Sequence, residues 1–345
     1  MKNVLLIAIL SLSNFSSLLS QSFFDQLYLD NNEDKQEIHI VMDIAYLMDH
    51  VEDEEYQNAT IKWVRGPGDT LSMGVNAKAR GKSRKKICSF PPVKLKFKKD
   101  TLEAHGFDRD FNDHKLVLQC RDVRGYDQYL YKEYMIYKFY SLFSPIAFRV
   151  QLVDVWFIDP NHPKQRTRRK GFIIEDENQL AARNEGEIRD RKVTSLSKFD
   201  DNAYFRFCLF QFFIANTDWA MGNLHNLKFL THTESGTIYP VPYDFDYSGM
   251  VNTPYSVPMK GLPIESVTAR YYRGANPVES VFWAELDHFA QHMPTMQAMC
   301  DDFTYLEKRH NKSIGRMIRS FQRMLDKPRR LYRIVQVKEE ENVKQ

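Results

Sequence analysis

Four polar residues in the second half of the chain have the types and spacing for chemistry on a phosphate. The segment reads Asn216-Thr217-Asp218-Trp219-Ala220-Met221-Gly222-Asn223, and Tyr243-Asp244-Phe245-Asp246 follows. An Asp followed five residues later by an Asn, with a further Asp beyond two predicted strands, is the spacing of a loop that catalyses phosphoryl transfer. That reaction asks the protein for little covalent chemistry. It needs Mg²⁺ (or Mn²⁺) held by hard oxygen ligands, and one carboxylate that orients the attacking hydroxyl. Asp218 is the expected catalytic carboxylate. Asn223 and Asp244 are the expected metal ligands, and Asp246 either binds a second ion or braces the loop. His225 reads as a structural histidine, or else as a hydrogen-bond donor behind those ligands.

A positioning catalyst needs rigid support. The span Asp200 to Ala215 predicts a helix apolar on nearly every side, with Phe205, Phe207, Leu209, Phe210, Phe212, Phe213 and Ile214. Such a helix belongs in a core. Asn226 to Leu230 and Thr237 to Val241 predict two strands joined by a turn carrying Ser235-Gly236. This hairpin would return the chain and set Asp244 beside Asn223.

The first half is rich in predicted strands: Glu37 to Ile44, Ala59 to Val64, Leu71 to Ala79, Val93 to Phe97, Lys115 to Gln119, Arg149 to Ile158 and Lys170 to Ile174. The run Ala79-Arg80-Gly81-Lys82-Ser83-Arg84-Lys85-Lys86 is either a solvated basic turn or a loop that closes over phosphates, with Arg80 and Ser83 as contacts. Lys94 and Lys96 share one face of the next strand. Either would suit the lysine that a kinase aims at nucleotide phosphates, and the sequence does not separate them. Glu133, in the helix predicted from Tyr126 to Phe143, is either an exposed helical residue or the carboxylate that orients that lysine. Glu175, at a strand end, is a candidate for the nucleotide edge or ribose.

The chain has 345 residues, is 43% hydrophobic and carries a net charge of +3. That allows a sizeable core and argues for no nucleic-acid partner. Residues 1–20 have the layout of a secretory signal peptide, with Lys2 before the apolar run Val4 to Leu10. No other stretch reaches the roughly 20 apolar residues of a spanning helix. The expected mature protein is therefore secreted, periplasmic or at the cell surface, without a transmembrane segment. Residues 21–36 read as a polar, poorly ordered leader. A β-rich part follows over 37–175, an α-rich part with the catalytic loop over 176–335, and a charged tail over 336–345. Of the four cysteines, Cys88 and Cys120 are the favoured disulfide pair, and Cys208 reads as a buried thiol.

Together these segments resemble the CotH family of atypical kinases. Arg80-Gly81-Lys82-Ser83 with Val93-Lys94-Leu95-Lys96-Phe97 is similar to the family's Arg-Gly-x-Ser turn and basic strand. Gly171-Phe172-Ile173-Ile174-Glu175 is similar to its Gly-x-Tyr-x-x-x-Glu strand. Asn216-Thr217-Asp218, Gly222-Asn223 and Pro242-Tyr243-Asp244-Phe245-Asp246 are similar to its Asn-x-Asp, Gly-Asn and Pro-Trp-Asp-x-Asp pattern. Tyr243 stands in place of the Trp, Ile173 in place of the Tyr, and Pro91-Pro92 where many members continue basic. The resemblance implies an α+β, two-lobed, reduced protein-kinase-like fold with a β-rich N-lobe and a mainly α C-lobe. It also implies ATP with Mg²⁺ as cofactors and phosphoryl transfer to a hydroxyl of a protein substrate. Two alternatives are a catalytically weak pseudokinase-like surface module and a metal-dependent phosphoester hydrolase. Two-metal hydrolases normally draw on more carboxylate or His ligands, and the sequence has no such His cluster.

Overall fold

The computed structural model describes residues 21–31, 34–53, 55–81, 83–162, 164, 166–189 and 195–336. The expected signal peptide (1–20) and all but the first residue of the tail lie outside them, as does Lys82 of the basic turn.

Alternating apolar residues build the first half. Strands β1 (Gln36–Val41), β2 (Gln57–Gly66), β3 (Asp69–Ala79), β4 (Val93–Phe97), β5 (Asp113–Leu118), β6 (Val150–Ile158) and β7 (Arg166–Ile174) form a closed barrel in the order β1-β2-β3-β4-β5-β7-β6. Every pair is antiparallel except β1 with β6, which runs parallel from Gln36↔Val153 to Val41↔Ile158 and closes the ring. Ile38, Ile61, Val75, Leu95, Leu116 and Val155 point inward and are buried, as the two-residue period of a strand requires.

Within the 21–36 leader, expected to be poorly ordered, residues 22–28 are held in a capped helical turn. Helix α1 (Phe23–Leu27) starts on a capping box between Ser22 and Asp25. It buries Phe23, Phe24 and Leu27 completely in the barrel core.

After α2 (Ile44–Asp49), α3 (Arg84–Ile87) and α4 (Lys99–Ala104) comes the long helix α5 (Asp127–Phe143). The second half holds α6 (Glu177–Ala182), α7 (Asp201–Phe213), α8 (Glu279–Asp302), α9 (Lys308–Leu325) and α10 (Pro328–Val335). It also holds β8 (Gly186–Arg189), β9 (Leu227–His232) and β10 (Ile238–Pro242), a three-stranded sheet in the order β10-β9-β8.

The expected two-lobed kinase-like architecture is overturned. The sheet of the first half has no open edge, because β1 and β6 satisfy each other. The second half is not simply helical, because it carries a sheet of its own. Helix α5 does not serve the barrel alone either. Its ring of Phe143 stacks on Phe289 of α8 at 4.2 Å, and Tyr140 meets Phe210 of α7 at 4.9 Å. One apolar core thus joins α5 and barrel residues such as Phe172 to α7, α8 and α9.

The expected disulfide forms between Cys88 and Cys120, and Cys208 is a buried thiol. Among the described residues, no helix is long and apolar enough to cross a membrane.

Candidate functional site

Helix α7 is capped by the Asp200 carboxylate, which accepts from Ala203 N–H at 2.8 Å. It delivers the chain into a tightly braced loop. Asn216 is buried; its Nδ2 donates to Gln211 Oε1 at 2.9 Å and its Oδ1 accepts from the Asp218 N–H at 3.0 Å. That Asx turn fixes where Asp218 points. The Asp218 carboxylate meets His225 Nε2 at 3.0 Å through Oδ1 and accepts from Asn226 Nδ2 at 2.9 Å through Oδ2. Arg273 donates to the Thr217 and Trp219 carbonyls and holds the loop from the other side.

The β9–β10 hairpin then returns the chain. The Tyr243 N–H donates to the Asn226 carbonyl at 3.1 Å, which ties the two loops together. Asp244 follows at a left-handed φ of 61°, and its N–H donates to Tyr137 Oη of α5 at 2.9 Å. Leu224 and Asn226 are also left-handed, at 56° and 55°. Such conformations cost energy for L-residues and gather where function over-determines the backbone.

Behind Asp244 lies a buried ion cluster. Arg84 Nη2 donates to Glu133 Oε2 at 2.5 Å, and Arg84 Nε donates to Asp246 Oδ2 at 2.8 Å. Tyr255 Oη also donates to Asp246, at 2.8 Å. Asp244 stands 3.9 Å from the guanidinium. Burial pushes the Glu133 carboxyl up; Arg84 draws it back, and Asp246 and Asp244 push it up again. Burial raises Asp246 in the same way against the pull of Arg84. Burial also works against the Arg84 charge, but Asp246 and Glu133 outweigh it and hold the guanidinium well above its ordinary value.

One oxygen from each of Glu133, Asp244 and Asp246 lies within 4.8 Å of the others. Glu133 Oε1 is buried without a hydrogen-bond partner among the described residues. A hard divalent cation fits this donor set, since carboxylate oxygens are its preferred ligands.

A cavity of about 390 Å³ joins these groups, with Arg80, Ser83, Arg84, Asp218, Asn226 and Asp244 on its wall. Asp246, His225 and Asn223 line it as well, and Asn223 is exposed at the rim. Cations and carboxylates on one wall suit a ligand that is itself a metal–phosphate pair.

No protein-family model matches this chain, and no curated protein does.

The predicted residues divide clearly. Asp218, Asn223, Asp244, Asp246, Arg80 and Ser83 come together at the cavity, with Glu133 behind it. Lys94, Lys96 and Glu175 do not. Val93, Leu95 and Phe97 face the barrel interior, so Lys94 and Lys96 stand on its outer face, where Lys94 pairs with Asp113 at 2.8 Å. Glu175 is enclosed and saturated by Arg149 and Arg183, which approach Oε1 at 2.7 and 2.9 Å.

Three residues escaped the sequence reading. Arg84 sat within the basic run but was not singled out. Asn226 lies three positions after Asn223, is buried and touches Asp218, whereas Asn223 does not. With Nδ2 committed to Asp218, only Oδ1 of Asn226 remains to accept. Lys115 is the cross-strand partner of Lys94, and its ammonium lies 4.8 Å from the ring of Tyr243, a cavity residue. Burial, helped by Arg80, brings its pKa down to about 8.

Proposed function

We propose that this chain is a Mg²⁺- or Mn²⁺-dependent phosphotransferase, CotH-like in its catalytic segment, that takes ATP in this cavity and phosphorylates a protein hydroxyl. The reading rests on the cavity and not on the fold. The observation that carries it is the meeting of Asp218 with Asp244 and Asp246 on a wall that Arg80 and Arg84 share.

In this reading Asp218 orients the acceptor hydroxyl and takes its proton as the new O–P bond forms and ADP leaves. His225, bonded to Asp218, and Asn226 fix that carboxylate. Asp244, Asp246 and Glu133 would hold the divalent ion, with Oδ1 of Asn226 as an amide ligand. The ion's chemistry is to neutralise charge on the phosphates. Arg80 and the loop at Gly81 supply further phosphate contacts. The Cys88–Cys120 disulfide is in keeping with export, which the expected signal peptide over residues 1–20 implies.

Two observations favour a second reading, a binding module with little catalysis. Arg84 already pairs with both Glu133 and Asp246, and Lys94 and Lys96 stand outside the cavity.

The test is ATP-dependent self-labelling of purified protein with Mg²⁺ or Mn²⁺, beside Asp218→Ala and Asp244→Asn. The phosphotransferase reading expects labelling that falls by roughly 100-fold or more in Asp218→Ala. Equal labelling in that variant removes Asp218 from catalysis. Nucleotide-induced stabilisation without labelling selects the binding module.

A further inference from the structure

The near-neutral total charge hides a strong local imbalance. Residues 308–333 hold ten lysines and arginines against one acid, Asp326, a net +9 in a chain of net +3. Helix α9 sorts them by geometry. Ile314, Ile318, Phe321 and Leu325 recur at helical spacing and are buried. Lys308, Lys312, Arg316, Arg319 and Arg323 form an exposed row along the same helix, about 22 Å long at 1.5 Å per residue. Helix α10 extends the field with exposed Arg329, Arg330 and Arg333, and Lys327 stands between the helices. Among the described residues, Arg309 is the one member of this set in a salt bridge, with Glu307 at 3.0 Å. Like charges held this close repel one another and weaken the fold.

Between the helices is a hollow of about 320 Å³. Arg323, Lys327 and Arg330 rim it, and Met324, Leu331 and the 40% exposed Ile334 give it an aliphatic wall.

We propose that this face docks an acidic segment of a partner protein, one carrying an aliphatic side chain among its Asp and Glu residues. Arginine forks match carboxylates, and Arg clusters are a recurring device for acidic motifs. The hollow decides between polyanions. It receives a protruding side chain, whereas a bilayer is met by apolar groups that protrude from the protein. Nor does the face offer a platform for bases: the rings of α9 and α10, Phe321 and Tyr332, pack inward on Phe213 and Phe282 at 4.9 and 4.8 Å. A sulfated glycan has no aliphatic side chain to fill the hollow. The inference uses no residue of the proposed active site, so either can fail alone.

The test is fluorescence anisotropy with a labelled peptide of Asp and Glu residues around one central Leu, against the same peptide with Ala. Wild-type protein is expected to bind the Leu peptide at least roughly threefold more tightly, for the apolar surface buried. Binding is expected to weaken as salt rises. Arg323→Glu with Arg330→Glu is expected to weaken it by roughly tenfold or more, through lost attraction and new repulsion. Ile334→Asp is expected to erase the difference between the Leu and Ala peptides. These positions are exposed, and unchanged melting of the variants guards against misfolding. Equal binding of the two peptides, or of wild type and the double variant, overturns the proposal. So does tighter binding to duplex DNA, to a heparin fragment or to phosphatidylserine vesicles than to the peptide.

Discussion

Arg84 and Glu133 stand 49 positions apart in sequence and meet at 2.5 Å behind the cavity. The contact ties the basic loop before β4 to the middle of α5, and Asp246 completes it from the catalytic segment. A buried charge that loses its partner is expensive. Arg84→Ala is therefore expected to lower stability by about 3–5 kcal/mol in urea unfolding. Adding Glu133→Gln and Asp246→Asn should restore much of it, because the stranded carboxylates are then gone. An Arg84→Ala midpoint equal to wild type would show that the cluster does not hold the loops together.

The disulfide fixes the same loop from its other end. Cys88 directly follows α3, which carries Arg84, and the Ser89 N–H donates to the Cys120 carbonyl at 2.9 Å. The paired Cys88→Ser and Cys120→Ser variant is expected to lose about 2–4 kcal/mol. Amide exchange at Ile87 and Cys88 should rise more than at the β3–β4 ladder. Uniform loss of protection would count against a local tether.

Asn226, rather than Asn223, is expected to serve the site. Asn226→Ala removes two hydrogen bonds to Asp218 and the neighbouring amide oxygen. Affinity for Mn²⁺ with ATP, read by calorimetry, should fall by roughly tenfold, the worth of one charge-assisted bond. Asn223→Ala, at the exposed rim, should change it by less than about twofold. The reverse order would restore the ligand set expected from sequence.

His114 gives the fold a pH dependence of definite sign. Its ring is fully buried against Phe23, Phe24 and Phe97, with backbone groups of Ile174 and Phe111 beside it. Burial brings its pKa from 6.5 down to about 4, with Asp113, the backbone at Ile174 and Glu175 pulling the other way. Between those values the unfolded chain binds the extra proton, so stability is complete above pH 6.5 and is lost as pH falls through the window. The full loss is on the order of 3 kcal/mol. His114→Phe should flatten the slope of unfolding free energy between pH 7 and pH 4.5. A slope that survives the substitution assigns it to other groups.

Local signals in the sequence were readable, and long-range ones were not. Val93 to Phe97 alternates strictly and forms β4 at the bounds expected. The apolar helix before Asn216 is α7. The alternation that paired Lys94 with Lys96 was real, but it did not tell that the cavity meets this face at the next strand, where Lys115 rather than its cross-strand partner Lys94 approaches Tyr243. Barrel closure depends on β1 finding β6, more than a hundred positions away, and no local pattern encodes an edge meeting an edge. Helix α1 left a usable signal. Ser22 and Asp25 form a capping box around Phe23, Phe24 and Leu27, but the polar composition of the surrounding span masked it. Arg84 looked like one more solvated charge because its partners, Glu133 and Asp246, arrive from distant elements.

The account depends on Asp244, Asp246 and Asn226 holding a metal–phosphate ligand within reach of Asp218. Calorimetric titration of the full chain with ATP, with and without Mn²⁺, tests this most directly, beside Asp244→Asn. Saturable binding that requires Mn²⁺ and weakens by roughly tenfold or more in Asp244→Asn is the expected result. Absence of binding, or binding indifferent both to the ion and to Asp244, would contradict it.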